Sequence, residues 1–394
     1  MVDRAQIKQT LDALFSAAVA DGTLHSVAAV VCNRAGNLYS AGFGADATVS
    51  SDSTGAIMSM TKAVTGAAAM QLVEQGRLSL DEPAGQVCPY LAEVQVLDGF
   101  SDSGEPLLRA PSQPVTLRHL LAHTSGFVYD MWNGMFGQYL QATGTPSIAS
   151  LQKAALRVPL MFDPGSRWEY GIGIDWVGQM VEAVSGQTLG AYCTEHIFTP
   201  LGMHDTAFVP TVAMAERMLP MCHRLEDGSL HATPAQTSPP PAAPVGEFEM
   251  GGGGLTSTAS DYARFIRMLL NRGELEGQRI LAAATVEVMG QSHTGPLRVT
   301  ELKTVIPQAS ADAELFPGEE KTWGLTFQRH EQPGFTGRSA GTLMWAGLTN
   351  CYYWLDHQRD IGGLFFTQVL PFADPKCLEV YYAFEREVYS ALDA

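Results

Sequence analysis

The chain is short of charge, and of positive charge above all. Only 16% of its 394 residues are charged, and 24 lysines and arginines stand against 41 aspartates and glutamates, a net charge of -17. Nucleic acids and anionic membrane surfaces are held by clustered cations, so neither is an expected partner. Paired cysteines are missing too. Cys32, Cys88, Cys193, Cys222, Cys351 and Cys377 are scattered, with no Cys-x-x-Cys among them. That argues against a disulfide framework or a zinc site, and reduced thiols in a cytoplasmic protein fit best. No apolar run reaches the length of a membrane span. The N-terminal stretch "MVDRAQIKQTLDALFSAAVADGTL" lacks the basic region and unbroken apolar core of a signal peptide. Its Ile7, Leu11, Leu14, Phe15 and Val19 recur at helical spacing and predict an amphipathic helix. There is no His-Glu-x-x-His, no phosphate-binding Gly-x-x-x-x-Gly-Lys-Ser/Thr, and no internal period of roughly 20–50 residues. No metal or other cofactor is expected. The glycine run Gly251–Gly254 lacks the preceding strand of a phosphate loop and reads as a turn that allows close backbone approach.

What is present is a globular composition, 46% hydrophobic, with Gly 39 and Pro 22 implying many tight turns. The length suits one large domain or two intimate ones. "SVAAVVCNRAGNLYSAGFG" predicts two strands around a turn at Arg34-Ala35-Gly36-Asn37. From about Leu80 to Val209 the pattern is mostly helical, with loops at Ser101–Pro114, His123–Gly134 and Phe162–Tyr170. "SIASLQKAALRV" reads as a helix capped by Ser147, and "IDWVGQMVEAVSG" as a helix stopped by Gly186. Ser238–Gly246 is a Pro-rich connection, and a helix follows with its cap among Ser257–Ser260. "TWGLTFQ", "GTLMWAG", "TNCYYWLD" and "IGGLFFTQ" predict strands, and "CLEVYYAFEREVYSAL" a closing helix. Strands at both ends with helices between predict an α/β (α+β) architecture. An antiparallel sheet flanked by helices, residues 1–80 and 245–394, would face a mainly helical unit, residues 81–244, with a cleft between them.

The chemistry concentrates at "IMSMTKAVTGAAAMQLVEQGRL", Ile57 to Leu78. Ser59 and Lys62 stand three residues apart, on one helix face and within side-chain reach. A serine hydroxyl is a poor nucleophile without a base beside it. Lysine can serve only if burial brings its pKa down from the usual ~10.4. The residues that follow are apolar or small, as a buried helix requires. Taken alone, Ser-x-x-Lys is a weak motif, and Ser150-Leu151-Gln152-Lys153 is a second, surface-type match. Tyr170, just ahead of the helix in "WEYGIGIDWVG", is either a packing residue at a helix entry or a proton relay beside the lysine.

Two further arrangements compete. Gly337-Arg338-Ser339-Ala340-Gly341 matches the Gly-x-Ser-x-Gly elbow, which needs a strand, a sharp turn and a helix. Here a strand–turn–strand pattern follows, so Ser339 reads as part of a connection. His123, at the end of "TLRHLLAH", reads as a hydrogen-bonding histidine at a helix end. Tyr129, Met131, Trp132, Met135 and Phe136 either line an apolar substrate pocket or belong to the core.

Ser59-Met60-Thr61-Lys62, "LLAHTSG", "PGSRWEYGIGIDWVG", "IFTPLGMHDTAF", "GGGGLTSTASDYARF" and "LMWAGLTNCYYWLD" occur in one order. In this the chain resembles the serine β-lactamase and penicillin-binding protein superfamily, and within it the class C β-lactamase-like family VIII carboxylesterases. The resemblance implies Ser59 as nucleophile, Lys62 as its base and Tyr170 as the catalytic tyrosine. It also implies Trp345-Ala346-Gly347 as the third, substrate-binding motif, and an oxyanion hole from the N–H groups of Ser59 and Leu348. Two departures stand out. The asparagine two residues after the tyrosine is Ile172 here, and the third-motif lysine is Trp345. Both weigh against efficient β-lactam hydrolysis. The expected activity is hydrolysis of short-chain or aryl carboxylic esters. An acyltransferase, a weak β-lactamase or D-amino-acid peptidase, and a non-catalytic binding protein remain as alternatives. The expected partner is a small-molecule ester, and the sequence does not specify an oligomeric state.

Overall fold

Both ends of the chain build one sheet in the computed structural model, which describes residues 4–45, 49–233 and 246–393. The N-terminal part gives β1 (Ser26–Asn33) and β2 (Gly36–Gly44). The C-terminal part gives β3 (Lys321–Trp323), β4 (Gln328–His330), β5 (Leu343–Gly347), β6 (Cys351–Asp356) and β7 (Ile361–Phe366). They lie in the order β3-β4-β5-β6-β7-β1-β2, and every neighbouring pair is antiparallel. Five helices frame the sheet and the site: α1 (Arg4–Ala20), α2 (Thr61–Glu74), α3 (Gly173–Ser185), α4 (Ala259–Leu270) and α5 (Pro375–Asp393).

Alternation along β6 assigns the two faces, because successive side chains of a strand point opposite ways. Tyr352 stacks on Tyr381 of α5 at 4.6 Å between ring centroids, and Trp354 meets Phe384 of α5 at 5.3 Å. Phe15 of α1 joins this layer, 5.3 Å from Phe384. Tyr353 points the other way and meets Tyr262 of α4 at 5.2 Å. Thr258 caps α4 by accepting the Asp261 N–H, as the sequence suggested.

α2 shows why a nearly uncharged helix was written there. Every residue from Thr61 to Leu72 is buried, Lys62 included, and a helix buried on all sides has no polar face to write. It packs against α3. Its start differs slightly from expectation. Met58–Met60 forms a 3₁₀ turn and the α-helix begins at Thr61, so Ser59 sits in the turn. Met58, just before it, is held at φ 47°, a conformation that costs energy in a non-glycine residue and recurs at functional sites.

Other expectations need correction. Arg34-Ala35 alone joins β1 to β2, because Asn33 Oδ1 takes the Ala35 and Gly36 N–H groups, both at 3.0 Å, and closes the turn early. "TWGLTFQ" is two strands, β3 and β4, the chain reversing through Thr326 at φ 80°. The segment read as a helix from Ser147 is two 3₁₀ turns, Ile148–Ser150 and Lys153–Leu156, broken at Leu151 with φ 56°. There the Leu151 carbonyl and the Lys153 N–H bond to Glu247 instead of to helix neighbours. The loop Ser101–Pro114 contains the strand Pro106–Arg109, paired with Val96–Phe100. The Pro-rich connection and the 244/245 boundary lie outside the described residues, apart from Gly246. No helix among the described residues is long and apolar enough to cross a membrane.

Candidate active site

Ser59 and Lys62 meet as their spacing predicts, with Lys62 Nζ 2.9 Å from Ser59 Oγ. Lys62 is wholly buried and makes two more contacts, to the Tyr129 hydroxyl at 3.0 Å and the Gly252 carbonyl at 2.6 Å. A neutral amine has two N–H donors and one lone pair. The Gly252 carbonyl can only accept. With a second N–H on Tyr129, the lone pair is left for the Ser59 hydroxyl. Burial lowers the Lys62 pKa to about 7, opposed by the negative charge of Asp175.

Tyr170 is 1% exposed and stands over the same amine, its ring centroid 4.6 Å from Lys62 Nζ. Its hydroxyl receives the Trp345 indole N–H at 2.8 Å. An indole N–H is only a donor, so the phenol oxygen accepts there and its own proton is free to face Ser59. Burial raises the Tyr170 pKa above the ordinary phenol value, and hydrogen bonding to Ser59 and Trp345 opposes the rise only in part. The resting group is therefore a phenol, not a phenolate.

His123 explains how Tyr170 is held. It follows the short helix Leu117–Leu121 at φ 55°, fully enclosed, and its ring lies 4.5 Å from the Tyr170 ring. Its Nδ1 accepts the Gly171 N–H at 3.3 Å and its carbonyl accepts the Glu169 N–H at 3.0 Å. Burial keeps its pKa well below the usual histidine range, so the ring is neutral. "LLAHTSG" thus splints "WEYG" from both sides of the tyrosine.

β5 brings the third motif. Trp345 is 4% exposed, wedged against Trp323 at 4.5 Å and Tyr170 at 4.8 Å. Its one polar atom is spent on Tyr170. Ala346 is buried in the ladder opposite Tyr352. Gly347 lies against the turn that carries Ser59: a Cβ there would come within 2.3 Å of the Ile57 carbonyl, which only glycine avoids. Thr349 Oγ1 ties the next turn to the Ala56 carbonyl at 3.0 Å. Leu348 follows directly, half-buried, and among the described residues no acceptor takes its N–H.

The aromatics of "GFVYDMW" divide. Tyr129 is buried on Lys62, so it belongs to the base's surroundings as well as to the core. Trp132 is half-buried, edge-on to Tyr129 at 5.8 Å and to Tyr170 at 5.7 Å, with its N–H on Ser310 Oγ at 3.1 Å. Phe136 is core, and Met135 is 39% exposed. A groove of about 480 Å3 opens beside Trp132, lined also by Trp168, Glu169, Leu297 and Leu302.

The competing motifs lie elsewhere. Ser150 and Lys153 are both exposed on the 3₁₀ turns. Ser339 sits in the β4–β5 connection, where its N–H bonds Asp356 Oδ2 at 2.9 Å. Its neighbour Arg338 is wholly buried on Glu385 of α5 and on His330. The elbow motif is thus an anchor for α5. Two participants were not singled out from sequence. Asp175, in the first turn of α3, is wholly buried and accepts the Gly252 N–H at 2.8 Å. Burial raises its pKa to about 6, countered by Lys62 and the Gly252 N–H. Gly252 was placed in a turn of close approach but not on the lysine. The available signal for Asp175 was an acid in the first turn of α3, which also fits an ordinary helix start.

Such a fold with this cluster on its flank defines a serine hydrolase, an enzyme of acyl-enzyme chemistry. The chain belongs to the Beta-lactamase family, whose profile matches residues 11–386. It is 30% identical over 363 residues to the lovastatin esterase of Penicillium rubens, covering 86% of this chain and 85% of that one. To the monacolin J acid methylbutanoyltransferase of Aspergillus terreus it is 29% identical over 343 residues, 85% and 81% of the two chains. Unliganded simvastatin synthase from Aspergillus terreus matches with a TM-score of 0.81 at 26% identity, over 98% of each chain. EstCE1, a hydrolase with promiscuous acyltransferase activity, shares the fold with a TM-score of 0.75 at 21% identity, over 98% of this chain and 99% of that one.

Proposed function

We propose that the protein is a serine carboxylesterase of the family VIII kind, acting on neutral short-chain or aryl esters through an acyl-enzyme on Ser59. The observation that carries this is the Lys62 amine, buried and within hydrogen-bond distance of Ser59, Tyr129 and Gly252, an arrangement in which a neutral amine can turn its lone pair to the serine. Ser59 Oγ attacks the ester carbonyl carbon and its proton passes to Lys62. The carbonyl electron pair moves onto oxygen, held by the N–H groups of Ser59 and Leu348. The pair then returns, the C–O bond to the alcohol breaks, and Tyr170 protonates the leaving oxygen. Lys62 now holds one proton more and Tyr170 one fewer. Return of that proton from the amine to the phenolate, whose ring centroid stands 4.6 Å from Lys62 Nζ, restores both. Water repeats the sequence on the acyl-enzyme.

Substrate charge follows from what replaces the usual cation. Trp345 offers no charge to a β-lactam carboxylate, Ile172 is buried and apolar, and the net charge is -17. Neutral esters lose nothing by these changes. The six free cysteines, all buried, support a reducing compartment such as the cytoplasm. Acyl transfer to an alcohol is the second reading, favoured by the relative named as a methylbutanoyltransferase. A panel of p-nitrophenyl esters run beside a penicillin and a chromogenic cephalosporin, with and without added alcohol, tests both. Turnover of the esters far above the penicillin is expected. A new ester in place of the free acid would assign transfer, and comparable kcat/KM for penicillin and ester would contradict the reading.

A further inference from the structure

Asp175 has no part in the reaction as written, yet it occupies an expensive position. Its helix neighbours Ile174, Trp176 and Val177 are buried and apolar, and a carboxylate among them needs compensation. Oδ1 receives the Gly252 N–H at 2.8 Å, while Oδ2 is buried with no partner among the described residues. The peptide that carries this N–H is held at its other end as well, where Thr65 Oγ1 of α2 donates to the Gly251 carbonyl at 2.8 Å. One residue on, the Gly252 carbonyl takes the Lys62 amine. Close fit continues on the far side: a Cβ on Gly252 would stand 2.6 Å from Asp175 Oδ2 and 3.0 Å from Oδ1.

We propose that Asp175 is a positioning residue for the base: by clamping the Gly251–Gly252 peptide it fixes the carbonyl that turns the Lys62 lone pair toward Ser59. The proposal rests on the reading of Lys62 as the base of Ser59. It explains why a buried carboxylate is kept there and why the residue it meets is glycine. The acid also acts through its charge, which favours the protonated amine. The other titratable groups around the pair are the Tyr129 and Tyr170 phenols, which face Lys62 on one side, and neutral His123 behind Tyr170. Removing the charge therefore moves the protonation of Lys62 to lower pH.

The test uses Asp175→Ala, Asp175→Asn and Gly252→Ala in the full chain. Fluorophosphonate labelling rates of Ser59 and kcat and KM for p-nitrophenyl butyrate are followed over roughly pH 5 to 9. Asp175→Ala should lower kcat and the labelling rate roughly 30-fold, with KM within about threefold, as expected of a lost orientation. Asp175→Asn keeps an acceptor for the Gly252 N–H. It should recover most of the rate and shift the acid limb down by about one pH unit. Gly252→Ala displaces the carboxylate and should resemble Asp175→Ala, with the double variant no slower than either. Unchanged rates in folded Asp175→Ala would overturn the proposal. So would equal losses in Ala and Asn with an unmoved acid limb, or fully additive losses in the double variant. If the unsubstituted protein takes no label on Ser59, the reading of the site itself has failed. If it labels and the variants match it at every pH, only the role of Asp175 has failed.

Discussion

Trp345→Phe separates two roles for the third motif. The indole N–H lies 2.8 Å from the Tyr170 hydroxyl, with both side chains buried. Phenylalanine keeps most of the packing against Trp323 and Tyr170 and removes only the donor. A hydrogen bond to a neutral phenol contributes about 0.5–1.5 kcal/mol, and one to a charged oxygen about 1.5–3 kcal/mol. Only the difference between resting phenol and the oxygen that gives up its proton slows the reaction. That difference is about 1–2 kcal/mol, or roughly 5- to 30-fold in kcat. KM should hardly move, because no substrate contact is lost. The assay is steady-state hydrolysis of p-nitrophenyl butyrate, with circular dichroism to verify the fold. An unchanged kcat with a KM raised several-fold would instead make Trp345 a substrate surface.

The pH dependence carries a sign. Lys62, brought down to about 7 by burial, works as a base only when neutral, so kcat/KM should rise with pH through about 7 and then level. A limb near the ~10.4 of a free lysine would contradict its burial as the source of activation. Tyr170→Phe removes the proton donor to the leaving oxygen and should cost roughly 10²-fold in kcat, and an unchanged rate would take the tyrosine out of the path. Glu385→Ala strands the buried Arg338 cation and should destabilise the protein by about 3–5 kcal/mol in urea titrations. Ser339→Ala, next to it, should leave activity intact, and a loss beyond ~100-fold in a folded variant would revive the elbow motif.

The parts of this architecture that could be read from sequence are those where local pattern and burial agree. β5, β6 and β7 follow apolar runs, α4 follows its cap, and α2 announces its burial by having no polar face. Ser59 and Lys62 were legible because helical spacing alone brings them together. The misreadings fall where distant chain overrides local preference. Lys153 and Leu151 give their backbone groups to Glu247, so a helical pattern becomes two short turns. Thr326 reverses the chain inside what looks like one strand. Asp175 and Gly252 are 77 residues apart in sequence, and neither is unusual in its own surroundings. Their meeting depends on how α2, α3 and the glycine turn pack. Tyr129 is a similar case: its hydroxyl reaches a lysine 67 residues away, which aromatic spacing could not reveal.

Peptide mass spectrometry after reaction with a fluorophosphonate reads directly whether Ser59 becomes the acyl carrier. A single adduct is expected on the peptide holding Ser59-Met60-Thr61-Lys62, absent in Ser59→Ala and strongly slowed in Lys62→Ala. An adduct on Ser339, or undiminished labelling and ester hydrolysis in Ser59→Ala, would contradict it.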